Sequence, residues 1–212
     1  MRRDEWTAVS ALYTREELSE NGNKEDGIMS KLPNIETERL LLTQWTLDEA
    51  DVQGLFDYAS NPNVGPHAGW REHHSLEESR DKIENMFMKS NVWAIRDKNT
   101  GKIMGSISLD PDKRRDGVNS LEMGYSLGEE YWGHGYMTEA AKAVMKFGFE
   151  EMNLVILAIC TGPKNKRSQR VIEKCGFKFE GIQRRAYHIY DGTDRDNLVY
   201  SILREEWEEL YK

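Results

Sequence analysis

The stretch that decides the fold is residues 130–140, which read Glu-Tyr-Trp-Gly-His-Gly-Tyr-Met-Thr-Glu-Ala. It lies between a predicted strand and a predicted long helix. Gly133 and Gly135 let the backbone turn sharply and approach a ligand without an intervening Cβ. The first N–H groups of a helix have no intrahelical acceptor and carry partial positive charge, so a phosphate is a natural ligand there. On the glycines alone, a tight turn that merely begins a helix stays an equal alternative.

A dinucleotide-binding fold is the main competitor, because the two glycines nearly match the G-x-G-x-x-G/A pattern. In that fold the first glycine follows its strand almost directly, whereas residues 128–132 separate Gly133 from the predicted strand end at Leu127. The third small position is Thr138, and Asn153 stands where an acidic residue is expected. Only one crossover unit surrounds the loop, so the sequence disfavours this fold.

The remaining pattern predicts the element order βααβββαβαββ. Strands are predicted both next to one another and across helical crossovers, which implies an α/β (α+β) domain with a mixed sheet and helices on both faces. Thr46 is predicted to cap the first helix, Ser75 and Glu78 to form a capping box on the second, and Gly176 to end the last. The predicted strands are 39–43, 92–96, 103–109, 121–127, 154–161, 179–190 and 197–203, and the predicted helices are 47–60, 75–89, 136–151 and one that ends at 174.

Composition excludes several functional classes. The 212 residues carry 29 Lys and Arg against 37 Asp and Glu, a net charge of −8, which disfavours nucleic acid and anionic lipid as partners. The longest nearly apolar stretch, residues 154–160, is far shorter than the roughly 20 residues that span a bilayer. Cys160 and Cys175 fit no metal-ligand spacing, so a reduced, cytoplasmic setting is expected.

The chain is predicted to consist of an N-terminal extension, residues 1–33 with a short helix over 5–18, and one domain, residues 34–212. A monomer or a homodimer is expected.

Residues 162–185 hold eight basic and two acidic side chains. This positive charge comes just after the strand that follows the glycine loop, which indicates that the segment and the loop bind the same anionic ligand. His67, His73 and His74 match no standard metal-ligand set, so no metal site is predicted.

Four motifs, in this order, resemble the GCN5-related N-acetyltransferases (GNAT), specifically the ribosomal-protein (Rim-type) branch. The resemblance covers about residues 35–207. It implies acetyl-CoA-dependent transfer of an acetyl group to an amine, on a splayed sheet that admits the cofactor between predicted strands 121–127 and 154–161. The motifs are EMGYSL at 122–127, YWGHGYMTEA at 131–140, NKRS at 165–168 and EKCGFKFEG at 173–181.

The resemblance also implies which residues hold acetyl-CoA. Main-chain groups near Tyr125 and Leu127 would pair with the pantetheine arm, at a strand bulge typical of the family, and Asn165 would contact the cofactor through its side chain. The family's Q/R-x-x-G-x-G/A pattern has Glu130 at its first position here, which removes one polar contact but leaves the main-chain donors. The implied pyrophosphate loop comprises Trp132, Gly133, His134, Gly135, Tyr136, Met137 and Thr138.

Catalysis requires a base, because an α-amine with a pKa of about 7.7 is largely protonated at pH 7. Glu122 is the first candidate, since strand alternation turns it away from its apolar neighbours and family members keep a glutamate there. Glu180 is the second candidate. Ile172 occupies the position where many members have a tyrosine acid, so Ser168, which matches a serine of the Rim-type branch, is assigned as the general acid. An exposed strand glutamate and a helix-face serine without these roles stay open as alternatives.

The resemblance implies an enzyme that transfers the acetyl group directly, without a covalent intermediate. Such transfer needs no protein nucleophile, and Cys160 has no nearby His–acid partner that would activate it as one. The resemblance favours a protein N-terminal α-amine as acceptor. A small cationic amine, such as a polyamine, an aminoglycoside or an amino-acid derivative, and a non-catalytic CoA-binding member are the alternatives. The loop that contains Trp70, together with Tyr187 and His188, is expected to border the acceptor site.

Overall fold

The computed structural model describes residues 32–212, which form an eight-stranded mixed sheet with the order β1-β2-β3-β4-β5-β6-β8-β7. Strands β5 and β6 are parallel and the other neighbouring pairs are antiparallel. The strands are β1 (Ile35–Glu36), β2 (Leu40–Gln44), β3 (Val92–Asp97), β4 (Ile103–Pro111), β5 (Ser120–Leu127), β6 (Ile156–Thr161), β7 (Lys178–His188) and β8 (Asp194–Leu203). The predicted short helix over residues 5–18 lies outside the described residues.

Helices cover both faces of the sheet, as predicted. One buried cluster joins α1 and α3 to the sheet around Trp45, Leu55 and Ile83. The other joins α4, α5 and α6 to the opposite face, with Val144, Ile172 and Trp207 among its members. The helices are α1 (Glu49–Ala59), α2 (Gly65–Ala68), α3 (Leu76–Asn85), α4 (Tyr136–Glu150), α5 (Lys166–Lys174) and α6 (Arg204–Tyr211), with 3-10 turns at Phe87–Lys89 and Glu129–Tyr131.

Several predicted helix boundaries need correction. Thr46 does not cap α1, because the N-cap is Asp48, and Thr46 instead donates from its main-chain N–H to the Asp51 carboxylate at 2.9 Å. Ser75 does cap α3, accepting from the Glu78 N–H at 3.2 Å, but the helix ends at residue 85 rather than 89. Gly176 has a φ of +82°, as a left-handed helix end requires. The short elements β1 and α2, and the terminal α6, were not predicted.

Strands β5 and β6 splay apart, and this positions the site. Their ladder ends at Met123 and Ile159, yet β5 runs on to Leu127 and β6 to Thr161. The register of β5 with β4 is continuous from Pro111↔Leu121 to Gly105↔Leu127. The family-type bulge expected in β5 is therefore absent, and the opening arises because the two parallel strands diverge.

Candidate active site

A cleft of about 230 Å³, here called the main cleft, lies where β5 and β6 separate. The end of β5, the residue 132–138 loop and one side of α5 form its walls, and Ala68 of α2 contributes to its rim. Ten of the twelve predicted site residues line it, and the two that do not are Glu122 and His134. The lining members are Tyr125, Leu127, Trp132, Gly133, Gly135, Tyr136, Met137, Thr138, Asn165 and Ser168.

The glycine loop presents unpaired main-chain donors to this cleft. Gly133 and Gly135 are exposed, with φ values of +81° and +83°, and a Cβ on Gly133 would meet nothing within 4 Å. The first main-chain hydrogen bond of α4 runs from the Glu139 N–H to the Gly135 carbonyl at 3.0 Å. Within residues 32–212, the N–H groups of residues 133–138 have no main-chain acceptor. The loop therefore has the donors that a phosphate needs.

Glu139 holds the loop in place. Its carboxylate accepts from the Thr37 hydroxyl at 2.6 Å, from the Arg39 N–H at 2.9 Å and from the Arg39 guanidinium at 2.7 Å. Burial alone would raise the pKa of Glu139, but these hydrogen bonds outweigh it and the pKa is lowered. Arg39 also donates to the His134 carbonyl at 3.1 Å and lies over the Tyr136 ring at 4.4 Å. No sequence pattern indicates this link, because it joins residues about 100 positions apart.

The basic segment contributes three cations to the main cleft: Arg167, Arg170 and Lys174, all on α5. The Arg167 guanidinium lies 3.9 Å from the centre of the Trp132 ring, so it is held beside the glycine loop. Asn165 caps α5 by accepting from the Ser168 N–H at 3.1 Å. The charge and the donors together fit an anionic, phosphate-bearing ligand.

The end of β5 offers main-chain groups to the cleft at alternate residues. The Gly128 N–H bonds to the Met104 carbonyl of β4 at 2.8 Å, so the neighbouring odd-numbered residues direct their main-chain groups toward β6. Beyond Met123 no β6 residue pairs with them. The Leu127 carbonyl already accepts a hydrogen bond from the Trp132 indole at 2.8 Å. Of the two residues predicted to pair with the pantetheine arm, Tyr125 is therefore the better placed.

Tyr125 also reaches Ser168 with its side chain. The two hydroxyl oxygens are 2.9 Å apart, and burial raises the pKa of the Tyr125 phenol. Ile172, at the position of the family's tyrosine, is buried in the core. The Tyr125 phenol thus lies beside Ser168, the predicted general acid, although Tyr125 belongs to β5 and not to α5. Only the tertiary structure shows this contact.

A smaller space of about 70 Å³, here called the side compartment, adjoins the main cleft, and Tyr125, Asn165 and Ser168 line both. Cys160 and Arg195 line the side compartment but not the main cleft. Nearby, Gly69 has a φ of +97° and a Cβ there would lie 2.6 Å from the Tyr187 ring, so the loop after α2 packs on β7 at this end. His188 is further out and pairs with Asp194 at 2.9 Å.

Glu122 and Glu180 belong to one chain of charges. Arg114 lies 3.0 Å from the Glu122 carboxylate and 3.3 Å from Asp112. Arg115 pairs with both Asp112 and Glu180. Glu180 also accepts from the Ser201 hydroxyl at 2.5 Å. Neither glutamate lines the cleft or the side compartment directly.

Cys160 connects Glu122 with the side compartment, because its thiol hydrogen-bonds to the Glu122 carboxylate and its side chain lines the compartment. Burial, with a further contribution from Glu122, raises the pKa of Cys160 to about 12. The thiol is therefore protonated at neutral pH and is a poor nucleophile. The Cys160 side chain is thus the link between Glu122 and the compartment in which an acceptor would lie.

Two of the three clustered histidines, His73 and His74, make hydrogen bonds to neighbouring residues. His73 bonds to the Ser79 hydroxyl at 2.8 Å, and burial lowers its pKa. The His74 N–H donates to Glu78 at 2.6 Å. Among residues 32–212 no group of three or more His, Cys, Asp or Glu side chains could hold a metal ion, and no helix in that range is long and apolar enough to cross a membrane.

Comparison with known proteins identifies the class. The acetyltransferase (GNAT) domain model matches residues 39–178, so the chain belongs to the GNAT family. It is an acetyl-CoA-dependent N-acetyltransferase of that family. The uncharacterized N-acetyltransferase YnaD of Bacillus subtilis (strain 168) is 30% identical over 187 residues, which cover 82% of this chain and 99% of YnaD.

Two further likenesses concern the branch and the fold. The [ribosomal protein uS5]-alanine N-acetyltransferase of Escherichia coli (strain K12) is 28% identical over 93 residues, 44% of this chain and 47% of that protein. The crystal structure of a GNAT-family acetyltransferase from Bacillus anthracis superposes with a TM-score of 0.71 at 26% identity, covering 82% of this chain and 99% of that one. The predicted family and fold class are confirmed.

Proposed function

We propose that this enzyme acetylates the α-amine of a protein N-terminus, as in the ribosomal-protein branch. The observation that carries the proposal is the continuity of the main cleft with the side compartment at Tyr125 and Ser168. One ligand can enter beside the glycine loop and a second from the opposite end, and the two meet at the splay. The likeness to the uS5-alanine N-acetyltransferase supports a protein acceptor.

Acetyl-CoA, when bound, supplies the acetyl thioester. The residues that would hold it are the N–H groups of 133–138 for the diphosphate and the main chain of Tyr125 for the pantetheine arm. Arg167, Arg170 and Lys174 add positive charge along the same wall. Trp132, His134, Tyr136, Met137 and Thr138 build the loop, while Leu127 and Asn165 shape the two ends of the cleft.

Glu122 accepts the proton of the acceptor amine in this proposal. Its carboxylate lies behind the Cys160 thiol, next to the side compartment, and Arg114 fixes its position at 3.0 Å. Glu180 lies at the far end of the same chain of charges, joined to Glu122 through Arg114, Asp112 and Arg115. The nearer carboxylate is therefore the base, and Glu180 has a structural role.

Ser168 donates a proton to the departing sulfur, and Tyr125 positions the serine hydroxyl. The Tyr125–Ser168 pair stands where the two spaces meet. The raised pKa of Tyr125 keeps its phenol protonated through the neutral range, so the pair retains its hydrogen bond there.

Replacing Ser168 by Ala is expected to lower kcat about 10-fold with little change in the KM for acetyl-CoA. The loss is modest because a thiol with a pKa of about 8.5 leaves readily without full protonation. Tyr125→Phe should have a similar effect, and the double variant should cost no more than either single change, because the two hydroxyls act as one unit. Steady-state kinetics of the three variants measure this. Parent-like kcat in Ser168→Ala would remove Ser168 from the mechanism.

The acceptor is tested with acetyl-CoA and a panel of amines, with products read by mass spectrometry. The panel contains peptides with free N-termini, a polyamine and an aminoglycoside. Acetylation of the peptides at the α-amine is the expected result. Acetylation of the polyamine or aminoglycoside alone would contradict the proposed acceptor, and the absence of any amine-dependent thiol release would indicate a non-catalytic CoA-binding protein.

A further inference from the structure

We propose that Arg195 recognises an oxygen atom next to the acetylated amine, a carbonyl or carboxylate on the amine-bearing carbon. This inference rests on the proposed function and specifies the acceptor class for the same site. Arg195 lies on β8 and lines the side compartment but not the main cleft.

The Arg195 side chain has unused binding capacity. It makes no ion pair with any carboxylate of residues 32–212, and its Nε is buried without a hydrogen-bond partner. Within residues 32–212 its side chain makes one hydrogen bond, from Nη2 to the Asn197 amide oxygen at 3.2 Å. A buried donor without a partner is costly, which indicates that a ligand supplies the acceptor.

The guanidinium is also held in place. It lies over the Tyr187 ring at 4.8 Å from the centre. A Cβ on Gly162 would lie 2.9 Å from the Arg195 Cδ and 3.1 Å from its Nε, so glycine at 162 is what lets the side chain lie there. A preorganised guanidinium loses little entropy when it binds an oxygen.

The charges around the side compartment match a ligand with an amine beside an oxygen. Cys160 on its wall contacts the Glu122 carboxylate, and Arg195 lies on the same wall. An amine near Glu122 with a carbonyl near Arg195 satisfies both groups. A polyamine would bring a second cation toward Arg195, which disfavours it.

The test compares two acceptors that differ in that oxygen: a peptide with a free N-terminus, and the same peptide with its first peptide bond replaced by an alkene. The parent is expected to prefer the peptide at least about 10-fold in kcat/KM, in the range of one hydrogen bond to a charged group. Arg195→Gln should lower kcat/KM for the peptide by a similar factor, through KM, and leave the alkene analogue unchanged. Arg80→Gln, which changes an exposed arginine of α3, is the control for net charge.

The KM for acetyl-CoA reports on folding of each variant and should not change. Equal losses on both acceptors, or no loss on the peptide, would overturn the inference while leaving the proposed function intact. Free alanine is a third acceptor, and a preference for it over the peptide would identify a carboxylate ligand. That result would support the role of Arg195 and contradict the protein N-terminus as acceptor.

Discussion

Replacing Glu122 by Gln is expected to lower kcat/KM about 100-fold at pH 7, the lower end of what a positioned general base contributes. The amide is isosteric with the carboxylate but cannot take a proton. The loss should shrink above pH 9, because an α-amine with a pKa of about 7.7 is already neutral there. A pH series of kcat/KM for parent and variant measures both effects.

Glu180→Gln is the matched control, because Glu180 lies in the same chain of charges at its far end. It should retain most of the parent activity. The affinity of both variants for CoA should equal that of the parent, which shows that the loss of the Arg114 ion pair has not disturbed the cleft. Loss of activity in Glu180→Gln with a normal Glu122→Gln would reverse the assignment of the base.

Local pattern predicts much of this fold. The alternation around Leu121–Leu127, the long amphipathic run after Tyr136 and the left-handed glycine at 176 each specify their element through neighbouring residues. The two-residue strand β1 and the four-residue helix α2 are too short to show a periodic pattern of apolar residues. The bulge expected in β5 came from resemblance alone, and the continuous ladder with β4 shows that this chain opens its sheet without one.

The parts of the site that consist of residues close together in the chain could be predicted from the sequence. The glycine loop and the Asn165–Ser168 turn are local, so their residues could be named in advance. The contacts of Tyr125 with Ser168 and of Arg39 with Glu139 join residues 43 and 100 positions apart, and no sequence period records them. Arg195 could not be found from sequence, because what singles it out is a buried Nε with no hydrogen-bond partner among residues 32–212.

The second large effect concerns acetyl-CoA. Gly133→Asp places a carboxylate in the open space beside the loop, where a Cβ meets nothing within 4 Å. Two like charges about 5 Å apart repel by about 3 kcal/mol at an effective dielectric constant of 20. Solvent at this exposed loop weakens the repulsion below that value. A remaining repulsion of about 1.4 kcal/mol would still lower the affinity 10-fold. We therefore expect at least a 10-fold weaker affinity for CoA.

Two variants separate charge from backbone strain. Gly133→Asn has a similar shape without the charge, and Asn and Asp are the residues that tolerate a positive φ best. Gly101→Asp introduces the same residue at a φ of +72°, also in open space, but in the β3–β4 hairpin. Gly101→Asp should bind CoA like the parent, and Gly133→Asn should lie between the parent and Gly133→Asp.

Calorimetric titration of CoA into the parent, Gly133→Asp and Gly101→Asp tests the central claim most directly. That claim is that the main-chain donors of residues 133–138 bind the diphosphate. The predicted result is a dissociation constant at least 10-fold higher for Gly133→Asp alone. Unchanged affinity in Gly133→Asp, or an equal loss in Gly101→Asp, would contradict it.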